Sequence, residues 1–164
     1  MKKILLLSDS HSYIDERILE FAKQADEIWH AGDFGNKEVI EKLENIKPLK
    51  GVFGNIDGTE IRSIFPEILR FRCEDVEVLM THIGGYPKKY APGIKKEIAE
   101  NPPKLFISGH SHILKAMFDK DWELLHLNPG ACGKSGWHKV RTMMRFVIDG
   151  SEIKDLEVIE LGSR

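Results

Sequence analysis

Seven side chains of the types that hold divalent metals close five short apolar runs of this 164-residue chain: Asp9 and His11, Asp33, Asn55, His82, and His110 with His112. The last pair stands out in Leu105–His112, LFISGHSH, where an apolar run stops at a glycine and two histidines separated by one serine. In extended backbone residues i and i+2 face the same side, so His110 and His112 are expected side by side just past a strand end. Any one such histidine is most simply a core or loop residue. Five run ends of this kind, each punctuated by glycine or serine and spaced at roughly the 30 residues of a strand-plus-crossover unit, point instead to one site.

Ligand type then sets the chemistry. Two carboxylates, one amide oxygen and four imidazoles, without a thiolate, suit Mn²⁺, Fe²⁺ or Zn²⁺ and disfavour Cu(I) or iron–sulfur clusters. Seven side chains are too many for one first-row ion and fit two. Two ions about 3.5–4 Å apart clamp the attacking and leaving oxygens of an in-line displacement at phosphorus and acidify a water. Because only two of the seven groups are anionic, two divalent ions would keep surplus positive charge, which suits a phosphate ester.

The elements that must position these residues are legible in the apolar pattern. Lys3–Leu7 reads as a first strand, apolar throughout Ile4–Leu7 and so buried on both faces. Ile14, Ile18, Phe21, Ala22 and Ala25 recur at helical spacing, with Asp15 and Glu16 in the first turn. Glu27–Ala31 gives a second strand, Val39, Ile40 and Leu43 a second helix, and Leu49–Phe53 a third strand ending at Asn55. Right-handed crossovers in such a βαβαβ half place Asp9, His11, Asp33 and Asn55 on one rim. Beyond it, Ile68–Phe71 and Val76–Met80 suggest an antiparallel hairpin that delivers His82. A Gly/Pro-rich loop over residues 84–93, a helix over Ile94–Glu100 and the strand Leu105–Ile107 follow. The remaining strand runs are Ala116–Phe118, Glu123–Leu127, Met143–Ile148 and Ile153–Ile159, with Asp149-Gly150 as a hairpin turn.

Bulk properties exclude little but agree. Composition is that of a globular protein, 41% hydrophobic and 30% charged, long enough for one domain over 1–164 with a core of its own. A formal net charge of −2 does not indicate a nucleic-acid partner or an anionic membrane. Cys73 and Cys132 form no CxxC pair and no disulfide framework, which suits a cytoplasmic location. The apolar run after the two N-terminal lysines is too short for a signal peptide, and no segment has transmembrane length. No GxGxxG follows the first strand, so a dinucleotide-binding reading is set aside.

In order and spacing, Asp9-Ser10-His11, Gly32-Asp33, Gly54-Asn55-Ile56-Asp57, Thr81-His82 and Gly109-His110-Ser111-His112 resemble the motifs of the calcineurin-like metallophosphoesterases, nearest to the branch of small bacterial and archaeal phosphodiesterases. The resemblance spans nearly the whole chain and implies an α/β, four-layered αββα sandwich of two mixed sheets. It further implies that Asp33 bridges two metal ions, with Asp9, His11 and His112 completing one site and Asn55, His82 and His110 the other. Asp33, Asn55 and His82 would act catalytically through the metals and a bridging hydroxide. Mn²⁺ is the expected ion, with Fe²⁺, Zn²⁺, Ni²⁺ or Co²⁺ as alternatives, and the expected partner is a small phosphodiester, with a homo-oligomer left open.

One position departs from the family. Many members carry a histidine directly after the motif asparagine, placed to protonate the leaving alkoxide, and here Ile56 stands there. Weaker candidates are His30 and Asp57 as supports for a ligand, Lys88, Lys89 and the tyrosines after His82 as cleft residues, and Lys134, Ser135 and His138 beyond the Asn128–Gly133 loop as substrate contacts. His126 reads as a surface residue. The rival reading is a protein-interaction scaffold on the same fold, as in the retromer-subunit relative of this family.

Overall fold

The computed structural model describes residues 1–164. Strand β1 (Lys2–Leu7), helix α1 (Glu16–Gln24), β2 (Glu27–His30), α2 (Lys37–Glu44) and β3 (Leu49–Gly51) form the expected βαβαβ half, followed by a short helix α3 (Thr59–Arg62). The chain continues through β4 (Ile68–Cys73), β5 (Val76–Thr81), β6 (Gly85–Tyr86), β7 (Lys89–Tyr90), α4 (Pro92–Glu100) and β8 (Leu105–Ile107). It ends in β9 (Lys115–Asp119), β10 (Leu124–Asn128), β11 (Val140–Asp149) and β12 (Glu152–Ser163). Two five-stranded sheets result, ordered β12-β11-β1-β2-β3 and β4-β5-β8-β10-β9. In the first, β1, β2 and β3 run parallel; in the second, β5, β8 and β10 do.

The apolar run of β1 shows why the sheets stack. Ile4 and Leu6 enter a core between the two sheets with Trp29, Val78, Met80, Ile107 and Phe146, while Leu5 and Leu7 pack outward with Ile18, Ala22, Ile40 and Leu43. A strand buried on both faces must be apolar at every position, not every second one. On the far side, Ile94 and Ile98 of α4 pack on Leu79, Phe106 and Leu124. The layers are therefore helix, sheet, sheet, helix, as expected. Caps fix the helix starts: Asp15 accepts from the Ile18 amide at 3.0 Å and Asn36 from the Val39 amide at 3.2 Å.

Several boundaries differ from the sequence reading. Helix α1 begins at Glu16 because Asp15 is spent as its cap, and β3 stops at Gly51. The final hairpin pairs Asp149 with Glu152, so Gly150 and Ser151 make the turn, with Gly150 at φ +60°. The small β6–β7 hairpin and α3 carry too few apolar residues to have announced themselves. His126 is buried, not on the surface, because β10 lies inside its sheet and the ring stacks on Phe106 at 5.1 Å between centroids. No helix is long and apolar enough to cross a membrane.

Candidate metal centre

The seven residues converge where the C-terminal ends of parallel strands from both sheets meet. The Asp9 amide donates to Gly32 O at 2.9 Å and the His11 amide to Asp33 O at 3.0 Å, locking the β1 and β2 ends together. In the second sheet the Gly109 amide donates to His82 O at 3.0 Å and locks the β8 and β5 ends together in the same way. The His110 amide then reaches across to Asp9 Oδ2 at 3.1 Å.

His110 and His112 do share a side, but not by extended backbone. β8 has ended at Ile107, and both histidines are left-handed, at φ +68° and +60°; Asp9, His11 and Asp33 are too, at +54°, +46° and +59°. A left-handed residue with a Cβ costs about 1–2 kcal/mol, and such strain clusters where a side chain must be aimed. Tight approach is enforced by glycine. A Cβ at Gly54 would fall onto Asp33 Oδ1, and one at Gly109 onto Ser8 Oγ.

Two groups of ligand atoms form, Asp9 with His11 and His112, and Asp33 with His82 and His110, each with its atoms within 4.8 Å of one another. Asp33 Oδ2 lies 3.3 Å from His11 Nε2 and 3.2 Å from His82 Nε2, so it touches a nitrogen of each group. Asn55 Oδ1 sits 3.0 Å from His110 Nδ1 on the exposed side of the second group.

The electrostatics describe a centre built for cations. Burial opposes ionisation of Asp9 and Asp33, yet the Ser8 hydroxyl that donates to Asp9, the Ile56 amide that donates to Asp33 and the imidazoles of His11, His82 and His112 that face the two carboxylates hold both carboxyls well below the usual range. The Asp33 and Asp9 carboxylates in turn raise His11 to about 9. Burial works against the charged form of His82, but the same carboxylates outweigh it and raise its pKa. His82 Nδ1 donates to Ala31 O at 2.7 Å, which leaves Nε2 as the free nitrogen. His11 Nε2 and His82 Nε2 are buried without hydrogen-bond partners and face carboxylate oxygens. Lone pair against carboxylate is tolerable only with a proton or a metal ion between them, so the donor set fits two divalent ions.

The surrounding residues sort by contact. His30, burial-depressed to about 3 and neutral, accepts from the Gly32 amide at 3.1 Å and contacts Ser10 Oγ at 2.9 Å, tying the Asp9 loop to the Asp33 loop. Asp57 does not reach a ligand histidine; it accepts from the Phe34, Gly35 and Gly54 amides at 3.2, 2.9 and 2.8 Å and pins the β2 and β3 loops. Ile56 donates its amide to Asp33 Oδ1 at 3.1 Å while its side chain is exposed.

In the 128–133 loop the Cys132 and Gly133 amides donate to Ser8 O and Asp9 O, bracing the β1 end. Lys134 lies over the Tyr13 ring at 4.7 Å, Ser135 is exposed, Lys88 forms the β6–β7 turn beside exposed Lys89, and Tyr90 donates to Asp119 Oδ2 at 2.6 Å.

His138, expected as a substrate contact, instead supports a ligand. Its Nε2–H donates to Gly133 O at 2.8 Å, so its Nδ1 lone pair faces His112 Nδ1 at 3.2 Å and accepts that proton. His112 is thereby fixed with Nε2 turned to Asp9 Oδ1 at 3.1 Å. No motif advertises this pairing, since His138 lies 26 residues away from His112.

A model of the calcineurin-like phosphoesterase superfamily domain matches residues 1–151. A probable metallophosphoesterase of Methanothermobacter thermautotrophicus is 28% identical over 167 residues, spanning 96% of this chain and 92% of its own. Among solved structures, one described as a novel archaeal phosphodiesterase superposes with a TM-score of 0.78 at 20% identity, covering 97% of this chain and 99% of that one. Zinc-complexed Vps29 of Entamoeba histolytica gives 0.75 at 16%, covering 96% and 98%. At these identities the two structures speak to the fold.

Without metal, His11 holds a proton up to about pH 9, above its ordinary value of 6.5. Its contribution to the metal-free fold is present below pH 6.5 and fades as pH rises through about 9. Mn²⁺ must displace that proton, so titration calorimetry at pH 7 in buffers of different ionisation enthalpy is expected to show proton release, with apparent affinity rising toward pH 9. Affinity that does not vary with pH would contradict the charged pairs described above. His138→Ala is expected to weaken divalent-ion binding at the Asp9, His11 and His112 group by about 10–100-fold and to spare binding at the Asp33, His82 and His110 group. Equal weakening of both ions would remove His138 from this role.

Proposed function

The chain belongs to the calcineurin-like phosphoesterase superfamily, and on that footing we propose that it is a phosphodiesterase using two divalent ions, Mn²⁺ first among the candidates, with a hydroxide shared between them as nucleophile. The observation that carries this reading is the position of Asp33 Oδ2, within 3.3 Å of His11 Nε2 and 3.2 Å of His82 Nε2, so that one buried carboxylate serves both ligand groups. Asp9, His11 and His112 complete the first site, and Asn55, His82 and His110 the second. Divalent ions held by these residues would supply Lewis-acid polarisation of phosphoryl oxygens and would lower the pKa of a water.

The chain's own residues set direction and limits. Asn55, Ile56 and His110 are exposed while Asp9, Asp33 and His82 are buried, so a diester approaches from the Asn55–His110 side. His30 and Asp57 hold the loops that aim the carboxylates. Ile56 offers no proton to the leaving group, so diesters with good leaving groups are the favoured small-molecule substrates. The free thiols of Cys73 and Cys132, both buried, support a reducing, cytoplasmic setting.

Hydrolysis of bis(p-nitrophenyl) phosphate by protein purified without chelator and supplied with Mn²⁺ tests the reading, with Asp33→Ala expected at background. A folded protein inactive with Mn²⁺, Fe²⁺, Zn²⁺, Ni²⁺ and Co²⁺ alike would turn the assignment toward a protein-interaction scaffold. Ile56→His is expected to accelerate diesters with poor leaving groups by about 10²–10⁴-fold and to flatten the dependence of kcat on leaving-group pKa. Unchanged rates on poor leaving groups would show that a proton is not what position 56 lacks.

A further inference from the structure

Beside His110 the surface opens into a cleft of about 190 Å³ between the β5–β6 connection and the segment linking β8 to β9. Exposed Ile83, Tyr86 and Ile113 form its walls, and Lys115 stands at one side with Nζ 3.8 Å from the Tyr86 ring centroid. Gly84, Gly85 and Gly109 keep backbone close, and buried His126 and Asn128 close the inner end.

Part of the polar lining is spent within the fold. Asn128 donates to Gly109 O and Ser111 Oγ, both at 3.1 Å, and accepts from the Gly130 amide at 3.0 Å. His126 Nδ1–H donates to Phe106 O at 3.1 Å, and burial keeps the ring neutral by lowering its pKa to about 4. Its Nε2 is therefore an acceptor without a partner, on a side chain 1% exposed. Ser111 Oγ accepts from the Ile113 amide and from Asn128, each at 3.1 Å, which leaves its own hydrogen to donate. On the buried and backbone-tethered side of the cleft one free acceptor and one free hydroxyl donor thus sit between apolar walls, with the Lys115 ammonium over Tyr86 as a mobile donor at the rim, next to the exposed His110 side of the centre.

We propose that this cleft is the subsite for the nucleobase of a nucleoside phosphodiester. The inference rests on the phosphodiesterase reading and deepens it. A base brings flat apolar faces for Ile83, Ile113 and Tyr86 and an edge that carries an N–H and an acceptor side by side, the complement of His126 Nε2 and Ser111 Oγ–H. An alkyl chain would leave both groups unpaired. A sugar would lay hydroxyls against Ile83 and Ile113, which offer them no hydrogen bond.

Two p-nitrophenyl diesters with the same leaving group isolate the subsite: thymidine 5′-(p-nitrophenyl phosphate) and methyl p-nitrophenyl phosphate, both with Mn²⁺. The wild-type protein is expected to favour the thymidine ester by about tenfold or more in kcat/KM, mainly through KM, since one satisfied buried hydrogen bond is worth about that factor. His126→Phe, which removes the acceptor, and Ile113→Trp, which plugs the cleft from an exposed position, are each expected to bring that preference near unity without slowing the methyl ester. Equal wild-type kcat/KM on the two esters overturns the subsite and leaves the phosphodiesterase standing, as does a preference that survives both substitutions. If the wild type hydrolyses neither ester, the phosphodiesterase reading fails, and calorimetric binding of thymidine 5′-monophosphate decides the cleft separately. Binding weakened in both variants supports it, and absent or unaltered binding overturns it.

Discussion

Everything else in this molecule accommodates one electrostatic demand: Asp9 and Asp33, both buried at the junction of two sheets, remain ionised. Water cannot stabilise them there, so the charge must be met by hydrogen bonds, imidazolium protons or metal ions. The structure supplies the first from Ser8 Oγ at 2.6 Å and from the His110 and Ile56 amides at 3.1 Å each. The rest falls to the imidazoles that face the carboxylates. A carboxylate pair that merely capped turns would have no use for His11 Nε2 and His82 Nε2, which are left buried and unpartnered.

That demand explains where the backbone is strained. Five of the seven candidate ligands sit at positive φ, each just past a strand end. Regular structure ends there because a continuing strand would send alternate side chains to opposite faces, whereas the centre needs them aimed inward from two sheets. The cost, about 1–2 kcal/mol per residue, is borne by two interior cores on either side of the first sheet. The loops are fastened to one another by His30 and Asp57, two side chains whose polar atoms are consumed in holding backbone and neighbouring hydroxyl groups.

How much of this was legible follows from the same physics. The uninterrupted apolar runs Ile4–Leu7 and Leu105–Ile107 marked strands buried on both faces, and the ligand residues beyond them marked the rim. Alternation misled at His126, where a polar residue on an inner strand looked like a solvent-facing one, because nothing local tells that the outer face of β10 is covered. The i, i+2 argument for His110 and His112 reached the correct side for the wrong reason, since left-handed turns and not strand pleat aim them. His138 could not be assigned at all from its neighbours. Its role depends on a carbonyl at Gly133 and a ring at His112 that only the folded chain brings within 3.2 Å.

The mouth of the centre is more open than its floor, and this contrast bears on selectivity. Asp9, Asp33 and His82 are fixed by burial and by hydrogen bonds, from Ser8 and the His110 amide to Asp9, from the Ile56 amide to Asp33 and from His82 Nδ1 to Ala31 O, so this floor tolerates little variation. Around Ile56, Ile83 and Ile113, by contrast, large apolar side chains stand exposed within the rim. An isoleucine at position 56 contributes shape but no proton, which shifts the burden of expelling a leaving group onto that group's own acidity. On the proposed phosphodiesterase reading, discrimination among diesters would fall to the surface beside His110, where His126 Nε2, the Ser111 hydroxyl and the Lys115 ammonium stand uncommitted among apolar side chains. In such a site the buried half sets what bond is broken, and the exposed half sets in which molecule.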